Sequence, residues 1–321
     1  MTRRDMLLAA LVAGLWGFNF VVIDWGMAGI PPLLFVAVRF VVVSLAAFVV
    51  PRPLAGWRTV VGVGLFMSLG QFALLYTSIA WGLQPGVAAL LLQAQAVLTI
   101  VVAALALRER PTRAQAAGVI VGTLGLGVVA LGRGGDAPAV AVVLCLLSAL
   151  SWAIGNVISR HAGVVAPARR WGALSLTVWS SLVVPVPALA LSALVEGPDA
   201  IAAGLAAFGW QAALSTLYTA GLCTLVGYAI FNGLLARNRS ASVVPWVLLA
   251  PVVAMTSAAL LLGQIPNTWE TVGGLVLVAG VFIANARARV PGAAAGGGQM
   301  LPPSSGPASL ERRSSSPERS R

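Results

Sequence analysis

The chain has 321 residues, 59% of them hydrophobic and only 9% charged, with a mean hydropathy of +0.94; a water-soluble core of this length is excluded and an integral membrane protein is required. Its net charge of +11 comes from 20 arginines against 9 acidic residues, with no lysine, so the positions of the arginines must decide between nucleic acid and membrane. Cys145 and Cys223 sit inside apolar runs and there is one histidine, which leaves no disulfide framework, no metal spacing and no expected cofactor.

Apolar runs of bilayer-spanning length are predicted over 6–24, 33–50, 59–81, 86–107, 114–132, 138–159, 172–195, 211–235, 241–263 and 269–286. They describe an all-α integral membrane protein of ten transmembrane helices. The first run, "LLAALVAGLWGFNFVVI", follows Arg3 and Arg4 but contains Trp16 and Asn19 and is followed by no small-residue cleavage site. It is expected to be a spanning helix and not a cleaved signal.

The second run carries Arg39 eight residues after Pro31, about 12 Å along a helix and well inside a hydrocarbon layer of roughly 30 Å. An arginine there costs about 2.5 kcal/mol or more, so a function is the default expectation. Two readings stand: its planar fork could take a carboxylate, or it could hold the architecture or gate, for instance by pairing with Asp24.

Gln71 in the third run falls at a similar depth, about 15 Å from the outer end. Gln93 and Gln95 in the fourth lie about 11 to 14 Å deep and point about 200° apart, so both cannot face one cavity; Gln95 is favoured for the cavity and Gln93 for an interhelical bond. The run ends at Glu109, among Arg108, Arg110 and Arg113, where a local ion pair is expected. In the seventh, eighth and ninth runs Trp179, Tyr228 and Trp246 could wall a cavity, as could Trp16 and Trp152. Asn19 and Asn156 read as interhelical glue. Pro245 and Pro251 should kink the ninth helix. Whether the stretch around Leu205 belongs to the eighth helix is open.

With both termini placed in the cytoplasm, fourteen arginines, from Arg3 and Arg4 to Arg287 and Arg289, fall in cytoplasmic segments and Arg133 alone falls outside; four more lie in the tail. Basic charge is therefore a topology signal, and a nucleic-acid partner is excluded. Residues 290–321, rich in Gly, Pro, Ser and Arg, should form a disordered cytoplasmic tail.

A shift of 155 residues brings Ala103, Ala104 and Leu105 onto Ala258, Ala259 and Leu260, and also Pro111 onto Pro266, Gly118 onto Gly273 and Gly125 onto Gly280. Each half opens with Trp followed by Asn, "WGFNF" and "WAIGN". Five helices per half force opposite orientations, and such inverted repeats mark secondary transporters, with the site between the halves. The expected units are residues 1–132 and 133–289.

The Trp-Gly-Phe-Asn-Phe start, the Pro-Pro pair followed at Arg39 by Arg-Phe, and the Glu-Arg-Pro-Thr turn at 109–112 resemble the EamA-type drug/metabolite transporters. "QFALLYTSIAWG", "PGVAALLLQAQAVLTI", "SLTVWSSLVVPVP" and "LVGYAIFNGLL" resemble the O-acetylserine/cysteine exporter branch, over about residues 2–289. The resemblance implies a multi-pass protein of the bacterial inner (plasma) membrane that exports an amino-acid-like small molecule by alternating access. Another small metabolite or a cationic drug is the alternative cargo. Relatives commonly repeat the Glu109 acid at the end of the ninth helix, where this chain has Gln264.

No Asp, Glu or His falls at mid-membrane, so proton coupling has no evident carrier and flow down the substrate gradient needs fewer assumptions. An intramembrane enzyme would need a nucleophile and a base there, and His161 lies at an edge. Lipid is an expected partner; the oligomeric state is left open.

Overall fold

In a computed structural model, residues 1–132, 138–162, 172–238 and 240–285 are described. Arg133, Arg169, Arg170, Arg239, Arg287, Arg289 and the tail lie outside the described residues, and with them those parts of the charge argument. Among the described residues there is no strand. The helices are α1 (Arg3–Gly26), α2 (Pro32–Leu45, prolonged by a 3-10 turn Ala46–Phe48), α3 (Trp57–Val63), α4 (Gln71–Ala80), α5 (Pro85–Leu92), α6 (Ala94–Ala106), α7 (Arg113–Leu131) and α8 (Ala139–His161). They continue with α9 (Gly172–Ser181), α10 (Pro185–Val195), α11 (Pro198–Ala206), α12 (Trp210–Leu217), α13 (Tyr228–Arg237), α14 (Ser240–Val247), α15 (Ala250–Leu262) and α16 (Thr268–Asn285).

Among the described residues, five continuous helical stretches are long and apolar enough to cross a membrane: Arg3–Gly26, Trp57–Ala80, Pro85–Ala106, Ala139–His161 and Trp210–Leu235. A sixth is a pair, Leu174–Ser181 and Pro185–Val195, bent by 43°. Pro32–Phe48, Arg113–Val129, Ala250–Leu262 and Thr268–Ala284 are apolar but shorter. The outward faces carry exposed Leu45, Leu105, Leu124, Leu194 and Leu260, as helices facing lipid should. Leu205 proves to belong to neither neighbour: it sits on α11, cut off by Pro198 at one end and by Gly209 before α12 at the other.

Irregularities recur at the sequence offset. Gly64–Gly70, between α3 and α4, is π-helical, and so is Tyr218–Gly227, between α12 and α13; shifting the first by 155 lands it inside the second. A π segment leaves backbone carbonyls poorly served, and here the first helix of the other half supplies donors. Ser151 Oγ on α8 donates to the Phe66 carbonyl at 2.7 Å, and Trp16 Nε1 on α1 donates to the Cys223 carbonyl at 3.0 Å. Likewise the break between α5 and α6 falls at Gln93 and that between α14 and α15 at Leu248 and Leu249. At both, the ladder tightens to a shorter bond: Gln93 N–H to the Leu90 carbonyl at 3.1 Å, and Leu249 N–H to the Trp246 carbonyl at 3.0 Å.

The glycines that matched across the shift meet one another. A Cβ on Gly118 would lie 2.5 Å from the Gly280 carbonyl, and one on Gly280 would lie 2.8 Å from that of Gly118; Gly125 and Gly273 oppose each other the same way, at 2.7 Å. Contact 118–280 and contact 125–273 run in opposite senses along the two chains, so α7 and α16 pack antiparallel. Only glycine lets two backbones come this close.

Candidate functional site

α1, α2, α4, α5, α8 and the second π segment surround a cavity of about 90 Å³, completed by the breaks near Gln93 and Ala250. A water needs about 10–15 Å³ on this measure, so a small solute fits. Its polar wall includes Asn19, Arg39, Gln71, Gln93, Trp152, Thr224 and Tyr228. A smaller pocket of about 30 Å³, on the Ser68 and Thr177 side, shares Phe72, Thr224 and Tyr228 with it.

Arg39 is 2% exposed on α2, which is otherwise apolar. Its Nη1 donates to Tyr76 Oη at 2.7 Å and its Nη2 to Thr224 Oγ1 at 3.0 Å, so one bond stays in the first half and the other crosses to the second. The centroid of the Phe72 ring lies 4.0 Å from the guanidinium carbon, with that of Phe40 at 5.3 Å, within cation–π range. All these partners are neutral. The pairing with Asp24 that the sequence allows does not form, and among the described residues no carboxylate lies within 4.0 Å of Arg39. Its charge is held but not compensated.

The two glutamines of the fourth run exchange places relative to expectation. Gln93 lines the cavity, whereas Gln95 Oε1 accepts a bond from Asn156 Nδ2 at 3.1 Å. The two point different ways, as their separation of about 200° requires, and the neighbour that takes Gln95 is Asn156 on α8. Gln71 lies in the wall on α4, 4% exposed, and Tyr228 faces both pockets. Trp179 and Trp246 are elsewhere: Trp179 Nε1 donates to the Val50 carbonyl at 3.0 Å under Arg52, and Trp246 packs against Leu234 and Val243. Glu109 does form an ion pair, but with Arg160 at the end of α8, at 2.8 Å, and not within its own arginine cluster.

Asn19, read from the sequence as glue, stands in the wall, and Tyr76 and Thr224 emerge as the partners of Arg39. Nothing in their spacing flags them, since each reaches the site through a chain fold of dozens of residues. The Trp and Asn at the start of each half were the available signal.

Among the described residues, three buried side-chain atoms without a hydrogen-bond partner belong to the cavity: Asn19 Oδ1, Arg39 Nε and Trp152 Nε1. Each such atom costs about 1–3 kcal/mol relative to a satisfied one; all three belong to residues of the cavity wall, and the atoms themselves are closed to solvent. Others of this kind, on Ser44, Thr216, Asn232 and Gln264, are not in its wall.

The model of the EamA-like transporter family matches residues 4–131 and again 139–286. A "probable amino-acid metabolite efflux pump" of Salmonella typhimurium is 39% identical over 286 residues, covering 88% of this chain and 95% of that one. Its counterpart of the same description in Escherichia coli is 35% identical over the same shares. A solved crystal structure covering 89% of this chain and 97% of its own superposes with a TM-score of 0.56 at 18% identity, a likeness of fold alone.

Proposed function

We propose a cargo and a mechanism for this chain, which belongs to the EamA-like transporter family and is a multi-pass inner-membrane transporter, not an enzyme. It exports small amino-acid metabolites of the O-acetylserine/cysteine kind. Ten helices cross the membrane as two inverted five-helix units, residues 1–132 and 133–289, with both termini cytoplasmic. Rocking of one unit against the other exposes the central cavity to each side in turn.

The observation that carries the cargo is Arg39. A buried guanidinium with only neutral partners, in the wall of a small cavity, suits a carboxylate above any other common group. At about 6 Å and an effective dielectric of about 20, a unit charge interacts with it by roughly 3 kcal/mol, favourably for a carboxylate and unfavourably for a cationic drug. That sign is the reason for preferring amino-acid-like cargo to the cationic alternative, and the descriptions of the two efflux-pump relatives point the same way. Among the described residues no acidic or histidine side chain lines the cavity, which supports flow down the substrate gradient.

The test is efflux from proteoliposomes loaded with O-acetylserine, cysteine or a quaternary amine, with unmodified protein and with Arg39→Leu and Arg39→Lys. Efflux of the first two, lost in Arg39→Leu, is the expected result. Efflux of the amine alone, or unaltered amino-acid flux in the folded Leu variant, would overturn the proposal.

A further inference from the structure

We infer that Ser148 and Ser151 on α8 are positioning residues of the transport site: from the second half they hold the first π segment in the register that sets Gln71 and Phe72 in the cavity wall. The inference rests on the reading that this cavity is the transport site. Both serines are buried, and neither lines the cavity or the smaller pocket beside it.

Gln71 is the residue at which Gly64–Gly70 passes into α4. In an α-helix the Phe66 carbonyl would bond to the Gly70 amide, four residues on. Here it bonds to the Gln71 amide, five residues on. It also accepts from Ser151 Oγ at 2.7 Å, while Ser148 Oγ donates to the Gln71 carbonyl at 2.7 Å. The backbone of Gln71 is thus fixed at both its amide and its carbonyl. Undoing the slip turns the residues after it against those before it by about 100°, the angle of one helical residue. Gln71 and Phe72 would then move relative to Met67 and Ser68, which share the smaller pocket with Phe72. Phe72 would also leave its place 4.0 Å from the Arg39 guanidinium carbon.

The second half repeats the arrangement. Gly227 closes its π segment, and Tyr228, in the cavity wall, follows at once. The donor there is Trp16, bonded to the carbonyl of Cys223, which precedes Gly227 by four residues as Phe66 precedes Gly70. A Cβ on Gly227 would lie 2.8 Å from Trp16 Nε1, and one on Gly70 would collide with Ser151 Oγ. The glycine that ends each segment therefore leaves room for a donor from the other half. Trp16 lines the cavity itself, so the serines are the residues that separate positioning from contact with cargo.

Ser78 on α4 is the matched control: it is buried and donates to the Ala141 carbonyl on α8 at 2.6 Å, but it lies off the π segment and the cavity wall. Ser78→Ala, Ser148→Ala and Ser151→Ala each lose one serine-to-carbonyl bond and should lower the melting temperature by similar amounts. In counterflow of labelled O-acetylserine by proteoliposomes of the full chain, Ser148→Ala and Ser151→Ala should raise the half-saturating concentration at least about 5-fold, and Ser78→Ala should leave it within about 2-fold. Gly70→Ala, which displaces the Ser151 hydroxyl, should reproduce Ser151→Ala and add nothing to it in the double variant.

If O-acetylserine moves and the serine variants shift half-saturation alike, or none shifts it, the serines only hold α8 to α4; the inference is then wrong and the proposed function stands. If O-acetylserine does not move at all in folded protein, both fall. Gly70→Ala against Ser78→Ala decides the question even if a Ser148 or Ser151 variant does not fold.

Discussion

The two halves of the molecule open with the same pair of residues and use them in opposite ways. In the first, Trp16 is committed: its indole N–H serves the Cys223 carbonyl and its ring packs on Tyr228 and Phe231 at 5.1 and 5.3 Å, while Asn19 Oδ1 is left without a partner in the cavity wall. In the second, Asn156 is committed, to Gln95 at 3.1 Å and Thr99 at 3.4 Å, and the Trp152 indole N–H is left over. In each half one residue of the pair is bonded and the other keeps an atom without a partner. The scaffold is shared, and the two copies differ in which of the pair is bonded.

The strongest test of that division is Arg39, for which the second half has no counterpart: among the described residues its arginines, Arg160 and Arg237, lie at helix ends. Arg39→Leu should lower carboxylate efflux by about 10- to 100-fold, the worth of charge-assisted bonds, whereas Arg160→Leu should leave flux within about 2-fold. Initial-rate efflux on equal amounts of reconstituted protein measures both.

The asparagines should cross over. Asn156→Ala leaves Gln95 Oε1 without its Asn156 bond and should cost about 1–3 kcal/mol in thermal or denaturant unfolding, with transport of the remaining folded protein retained. Asn19→Ala removes a carbonyl oxygen that has no hydrogen-bond partner, so stability should hold while the half-saturating cargo concentration rises. If both behave alike, the two halves are not divided as described.

A smaller effect separates the tryptophans. Trp16→Phe forfeits the bond to the Cys223 carbonyl and should cost about 1 kcal/mol of stability; Trp152→Phe should cost less and raise the half-saturating cargo concentration. The smallest concerns the Glu109–Arg160 pair, whose side chains are 52% and 46% exposed. Glu109→Gln should change stability by less than about 1 kcal/mol and vanish into error at high salt.

Hydropathy alone places the apolar runs, because a run of that length admits few alternatives, and the Gly and Pro coincidences make the duplication legible. Local backbone events are not legible in this way. Nothing in "GLFMSLG" or "YTAGLCTLVG" distinguishes a π segment from an α-helix, since the difference is that each hydrogen bond reaches one residue further along the chain, which neighbouring donors on α1 and α8 make tolerable. Spacing separates Gln93 from Gln95 by about 200° but does not choose between them; Asn156 on α8, which bonds Gln95, is a neighbour that only the assembled bundle supplies. Arg39 stands out on cost alone, but its partners Tyr76 and Thr224 are 37 and 185 residues away, and only the assembled bundle selects them.

The glycine contacts between α7 and α16 carry a consequence for ancestry. Gly118 touches Gly280 and Gly125 touches Gly273, while the offset equates Gly118 with Gly273 and Gly125 with Gly280; the surface is therefore self-complementary, the kind by which two identical subunits pair about a two-fold axis. Such a surface would let a chain of one repeat alone pair antiparallel with its own copy. A dimer of that kind must carry every residue twice. Joining the copies into one polypeptide lifts that constraint, and a single arginine facing a single passage is what the lifted constraint permits.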